Sequence, residues 1–340
     1  MAYKIKEIAQ MAGVSASTVS RIINGKTCVN ENTKKRVMEI IEKNDYHPSA
    51  IAQSLKYKQT KTICLMLPTI ENIAYAPITK GVEEVAREND YIVVICNTDD
   101  KEEIELRYIN TMKSRMVDVF IVCSAIGKHK NITALREENY PVVLASRYDL
   151  SDIGKIDVCT VNDYQAAYIV TEYLIKTNHK RIALAIGDES ILYSKERLRG
   201  YTSALNDYHM PVDDQIIMHF DNNNSCFYQK TLDLMKEHPD VDAIFASSDT
   251  KAIYILKALH EMNIRVPEDI SVFGYDNIEI ASAMCPPLST VSQSPFELGR
   301  TAALNLFRQI EYKKTHGTLP DPEFNISEHK LFIRDSCMAR

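Results

Sequence analysis

The side chains of this 340-residue chain that stand out for chemistry are cations, and they are unevenly spread. Residues 1–61 hold eleven Lys and Arg (4, 6, 21, 26, 34, 35, 36, 43, 56, 58, 61) against five Asp and Glu, a net charge of +6, while the remaining residues carry −12. The whole-chain value of −6 alone argues against nucleic acid. A basic head on an acidic body, however, is the footprint of a protein whose head alone meets phosphate. Catalytic signatures are missing: the sequence has no GxSxG, no GxxxxGK[ST], no HExxH and no glycine fingerprint after residues 62–67. The eight cysteines (28, 64, 96, 123, 159, 226, 285, 337) lie far apart with no CxxC pair, so neither a zinc site nor a cofactor is expected. Cys64, Cys96 and Cys123 fall in apolar runs, as buried reduced thiols do.

The elements that position these groups follow from periodicity. Ile5, Ile8, Ala9 and Ala12 recur at helical spacing, and Gly13 ends the run where a positive φ is cheap. Ser15 can cap a second helix whose inner face is Val19, Ile22 and Ile23. Two short helices joined by a turn containing glycine form a helix-turn-helix pattern. Asn30 then caps a third helix running through Ile41, with Val37, Ile40 and Ile41 closing a small core. After Thr60 the rhythm becomes strand, helix, strand. Strands are predicted over 62–67, 91–97, 117–123, 141–146, 157–161, 181–186, 215–220, 242–247 and 270–275. Helices are predicted near 76–89, 102–115, 131–139, 163–177, 195–208, 224–238 and 250–262. Such alternation implies parallel sheets covered on both faces, and this many strands implies two lobes. The N-terminal MAYKIKEIAQMAGVS has no apolar export segment and no run approaches about 18 apolar residues, so a cytoplasmic chain is expected.

The segments IKEIAQMAGVSASTVSRIINGK and VNENTKKRVMEIIEKNDYHPSAIAQSL resemble the LacI family of transcription regulators along the whole length of that family's headpiece. The resemblance implies that the second helix enters the major groove with Ala16, Ser17 and Arg21 on its reading edge. Of the three, only Arg21 can make a bidentate contact to guanine. Ser15, Thr18, Ser20, Asn24, Thr33 and Tyr46 fall where the family contacts phosphates, which fixes register rather than sequence. Residues 48–55 resemble the hinge helix, too short to persist alone, which by resemblance orders when two copies pair in the minor groove and Leu55 wedges between base pairs.

The body resembles the periplasmic-binding-protein-like core of the same regulators. The matching runs are LPTIENIAYAPITKGVEEVA, SRMVDVFIVCS, YPVVLASR, VNDYQAAYIVTEYLIKTNHKRIAL, ERLRGY, ISVFGYDN and PLSTVSQSPFELGRTAALNLF. The implied domains are a headpiece over 1–46, a hinge and linker over 47–60, and a core over 61–340. Within the core, one lobe is expected from about 61–161 plus 293–325 and the other from about 162–292 plus 326–340. An effector would sit between the lobes, outside the carboxyl ends of the strands. The resemblance places Ala74, Tyr75, Arg147, Arg197, Phe220, Ser248 and Asp276 there. Asp276 and Arg197 suit vicinal hydroxyls, and Phe220 or Tyr75 suits the face of a sugar. Departures touch the effector rather than the fold: Ser248 stands for the usual Asn, Ile73 for a common Pro, and Pro295 for an aromatic, with Phe296 beside it.

The implied function is a DNA-binding repressor of sugar genes, a homodimer on a pseudo-palindromic operator, controlled by a sugar or sugar phosphate. An alternative keeps the fold and replaces the small molecule by a protein corepressor, as in the family's catabolite control proteins, which the segment PVVLAS slightly resembles. An enzyme would leave the basic head unexplained, and a transport-linked binding protein would need an export signal.

Overall fold

The computed structural model of the chain describes residues 3–23, 29–46, 60–124, 129–221 and 223–340. The expected hinge over 48–55, with Leu55, and the expected phosphate contact Asn24 lie outside these residues. Two compact units result, Met1–Thr60 and Lys61–Arg340.

The first unit is three helices, α1 (Ile5–Met11), α2 (Ala16–Ile23) and α3 (Glu31–Lys43). Gly13 turns the chain between α1 and α2 at φ +61°. Ser15 caps α2 by accepting from the Thr18 amide at 3.2 Å, and Asn30 caps α3 by accepting from the Asn32 amide at 2.9 Å. Ile8, Ala9, Ala12, Val19, Ile22 and Val37 fill the core, with Ile23, Ile40 and Ile41 packed at its edge.

The second unit holds two six-stranded sheets. In chain order its elements are β1 (Thr62–Leu67), α4 (Tyr75–Glu88), β2 (Ile92–Asn97), α5 (Glu102–Ser114), β3 (Val119–Val122), α6 (Lys130–Glu137), β4 (Val142–Ala145) and β5 (Asp157–Val161). There follow α7 (Asp163–Lys176), β6 (Ile182–Ala185), α8 (Leu192–Asp207), β7 (Ile217–Met218), α9 (Cys226–Glu237), β8 (Ala243–Ala246), α10 (Asp249–Glu261) and β9 (Ser271–Tyr275). The last are β10 (Ser289–Ser292), α11 (Pro295–His316), β11 (Phe324–Ser327) and β12 (Lys330–Phe332). The first sheet runs β11-β5-β4-β3-β1-β2, all parallel. The second runs β12-β10-β9-β8-β6-β7, parallel except for the antiparallel edge strand β12.

Strand β1 shows why these runs carry no polar alternation. Ile63, Leu65 and Leu67 face the helices α4 and α11, while Cys64 and Met66 face Ile109 and Ile132 on the other side. A strand covered on both faces must be apolar throughout. The chain crosses between sheets after β5, after β10 and after β11. Since Ile326 and Ser327 pair with Thr160 and Val161 in the first sheet, the third crossing follows Ser327, two residues beyond the expected 325. The strand expected over 215–220 shrinks to Ile217–Met218, because a 3₁₀ turn capped by Asp213 takes up residues 214–216. Among the described residues no helix is long and apolar enough to cross a membrane, and no cluster of His, Cys, Asp and Glu could hold a metal.

A buried charge locks the loops at one end of the first sheet. His129 Nε2 donates to the Ser124 carbonyl at 3.0 Å, and Nδ1 lies 2.6 Å from Asp152 Oδ2, an arrangement that favours the doubly protonated ring. Burial lowers the pKa of His129, but its bond and charge interaction with Asp152 outweigh that, and the net shift is upward. The sign follows: the pair's stabilisation is complete below the unfolded value of about 6.5 and is lost as pH rises through the higher folded value. His129→Gln should therefore cost about 3 kcal/mol at pH 6, where it leaves Asp152 without its cation, and less once pH has risen through the folded value of His129. Thermal melts of both proteins across a pH series check this; a loss that grew with rising pH would contradict it.

Candidate functional site

The strands of both sheets end in tight backbone. Asp99 and Asp100 after β2, Ser146 after β4, Asp276 and Asn277 after β9, and Ser294 after β10 all take positive φ, with Asp276 at 111°. Conformations this unfavourable for non-glycine residues collect at ligand sites. Here Asp100, Ser146 and Asp276 line one cavity of about 340 Å³ between the two sheets.

The cavity is built around two guanidinium groups. Arg197, on α8, donates from Nε to Asp163 Oδ1 at 2.8 Å and from Nη1 to the Ser247 carbonyl at 2.5 Å. Its Cζ lies 3.6 Å from the centroid of the Tyr275 ring, whose hydroxyl donates to the same Asp163 oxygen at 2.8 Å. Arg147, after β4, donates to Asp100 Oδ2 at 2.9 Å. Tyr193 stands between the two, 5.2 Å from Arg147 and 4.9 Å from Arg197. Burial opposes both charges, but the surrounding phenols and carboxylates raise each pKa above the ordinary arginine value.

Asp276 completes the wall. Its carboxylate accepts from Gln293 Nε2 at 3.3 Å, and burial pushes its pKa up to about 6 against the pull of Arg197 and Lys251. The floor beneath it is fixed by Asp249, which accepts from Thr290 Oγ1 at 2.6 Å and from the Ile278 amide at 2.9 Å. A Cβ on Gly274 would stand 2.1 Å from Asp249 Oδ1, so glycine is required where β9 passes this carboxylate. Lys251, in the first turn of α10, donates from Nζ to Ser248 Oγ at 3.1 Å, and burial lowers its pKa to about 8, with Arg197 adding to the effect.

The structure brings all seven expected effector residues, Ala74, Tyr75, Arg147, Arg197, Phe220, Ser248 and Asp276, to this one cavity. Arg197 takes Asp163 as its carboxylate partner, and Ser248 caps α10 and receives Lys251 with its hydroxyl. The sequence reading missed Asp163, Tyr193, Lys251, Asp100 and Gln293, which also line it. Asp163 could have been found, since it begins the helix at the first crossing; Lys251 and Tyr193 carry no local signal.

On the headpiece, Ser17 and Arg21 are exposed one turn apart on α2, and Ala16, Thr18 and Ser20 are half-buried beside them. Ser15 is exposed and Thr33 half-buried. Tyr46 is different: its ring belongs to the three-helix core and only 7 % of the residue is exposed.

Comparison with known proteins agrees with this geometry. Residues 4–49 match the family described as bacterial regulatory proteins, lacI family. Residues 60–332 match the family described as periplasmic binding proteins and sugar binding domain of LacI family. The chain is 31% identical over 313 residues to catabolite control protein A of Priestia megaterium, covering 92% of this chain and 93% of that protein. The solved complex of the transcriptional regulator CelR with cellobiose has 27% identity and a TM-score of 0.73, covering 98% of this chain and 99% of the other. The lac repressor dimer bound to operator, at 22% identity, shares the fold over the full length of both chains with a TM-score of 0.87. A helix-turn-helix unit and a two-sheet sensor unit, each matching over nearly its whole length, make this chain a member of the LacI family of DNA-binding transcription regulators, which are not enzymes.

Proposed function

We propose that the protein is a repressor of sugar uptake or catabolism genes that binds a pseudo-palindromic operator as a homodimer and answers to a sugar or sugar phosphate held between its lobes. The observation that carries this reading is the cavity itself, where Asp276, two guanidiniums and the rings of Tyr75, Tyr193 and Phe220 face one space. A carboxylate and guanidiniums fix hydroxyl pairs, and aromatic rings cover the apolar face of a pyranose. The cellobiose complex of CelR supports the same ligand class. The edge strand β2, with Ile92 and Ile95 exposed, offers the kind of surface that a second copy covers. A thermal-shift screen of sugars and sugar phosphates tests the reading: a ligand at 100 times its Kd stabilises by about 2.7 kcal/mol. No shift with any member of the screen would count against a sugar effector.

In the headpiece, Arg21 is the one long donor among the expected reading residues of α2. Arg21→Ala should cost about 1–3 kcal/mol of specific operator binding and flatten the preference at one base pair of each half-site. Gel shifts on the operator and its single-base variants check this. An unchanged preference at every position would remove Arg21 from base reading.

A further inference from the structure

We propose that the effector is an acidic sugar, carrying a carboxylate or a phosphate, and that Lys251 is the residue that reads its negative charge. This inference rests on the sugar reading above and narrows it.

Among the described residues three cations line the cavity, and two of them are already neutralised within the protein. Arg147 is held by Asp100 and Arg197 by Asp163. Lys251 is the third. It is only 7 % exposed, and among the described residues no carboxylate lies within 4.0 Å of its Nζ. Its hydrogen bond to Ser248 Oγ uses one of three ammonium protons and supplies no charge. Asp276, on the same cavity, likewise has no cation at ion-pair distance among the described residues, and there its carboxylate accepts from the Gln293 amide. Lys251 and Asp276 therefore face the same space without touching, one offering protons and the other accepting them.

A neutral polyol answers half of this arrangement. Its hydroxyls satisfy Asp276, but on filling the cavity it would strip water from Lys251 and leave a buried ammonium with no anion in contact, Asp276 acting on it only from beyond 4.0 Å, an expensive outcome. An anionic substituent on the same sugar answers both halves, because a charge-assisted bond to carboxylate or phosphate is about twice as strong as a neutral one. The surroundings leave room for it. Gly187 lines the cavity beside Lys251; a Cβ there would stand 3.7 Å from Nζ and 2.8 Å from Ser194 Oγ, and that hydroxyl is itself buried without a hydrogen-bond partner. Size agrees as well: about 340 Å³ is at the low end for small-molecule sites, suiting a monosaccharide with one acidic group.

Calorimetry on the full chain tests the proposal with glucose, glucuronate and glucose 6-phosphate, and with galactose, galacturonate and galactose 6-phosphate. In at least one series an acidic member should bind about tenfold or more tightly than its neutral parent, and comparison of the two acids tells carboxylate from phosphate. Lys251→Met, which removes the charge and keeps the volume, should bring acid and parent to within about twofold of one another. Its melting temperature without ligand should not fall, because a buried unpaired charge has been replaced by an apolar chain. Neutral sugars binding wild type as tightly as both acids would overturn the inference while leaving the sugar reading intact, and this comparison needs no variant. An acid preference that survives in Lys251→Met would overturn it too. If no sugar of either kind binds, the sugar reading falls and the inference with it.

Discussion

Asp276→Asn should lower the affinity of the cavity for the proposed sugar by about 100-fold, with headpiece binding to operator in the absence of effector unchanged. Hydrogen bonds to a charged group are worth about 1.5–3 kcal/mol each, and asparagine keeps the shape but offers a single neutral acceptor. The isostere matters because Asp276 sits at φ 111°, a backbone conformation that a β-branched or bulky replacement would disturb. The same residue sets a pH dependence. Burial holds its pKa at about 6, so the accepting carboxylate is charged above that value and is lost as pH falls through it. Sugar affinity should therefore drop as pH falls below 6 in wild type, and the part of that drop due to Asp276 should be missing in Asp276→Asn. Calorimetry between pH 5 and 8 reads both effects. Wild-type affinity in the variant would place the sugar elsewhere.

The second large effect is on stability. Helices α4 and α11 cross with their backbones in contact: a Cβ on Gly299 would stand 2.1 Å from the Ile78 carbonyl oxygen, and one on Gly81 would stand 2.2 Å from that of Phe296. Neither neighbour is a side chain that can swing aside. Gly299→Val should cost about 3 kcal/mol or more, because the helices must separate and open the core they cover. In a unit of this size that lowers Tm by roughly 6–12 °C. Gly154→Ala is the control. It meets nothing within 4 Å and pays only for its φ of +76°, so its loss should be about 1 kcal/mol. Thermal melts of the two variants give the comparison, and equal losses would mean that the crossing has room to relax.

What the sequence made legible was whatever repeats locally. The periodicity of Ile8, Ala12, Val19, Ile22 and Val37 defines the headpiece core, and the apolar runs around Ile63, Ile121 and Val143 define buried parallel strands. Of the cavity, the residues reached by family resemblance are all present. The rest was hidden because it depends on pairings far apart in the chain. Asp163 meets Arg197 across 34 positions and Tyr275 across 112, and nothing in either neighbourhood announces the contact. Lys251 reads as an ordinary helical lysine until its burial is known. Tyr46 shows the converse: a residue matching a phosphate-contact position turns out to close the small core, because seven buried side chains are few for such a unit and its ring is needed.

In the proposed function one molecule couples a sugar in the cavity to DNA at the headpiece, and an effector can do this only by binding differently to two arrangements of the core. The direct measurement is a selection by the full-length protein from a pool of randomised duplexes, followed by titration of the selected duplex with and without the sugar that gives the largest thermal shift. The expected result is a pseudo-palindromic site whose affinity changes by about 5–150-fold when the sugar is added, with no change in Asp276→Asn. A selected sequence without two-fold symmetry, or an affinity that the bound sugar leaves untouched, would contradict it.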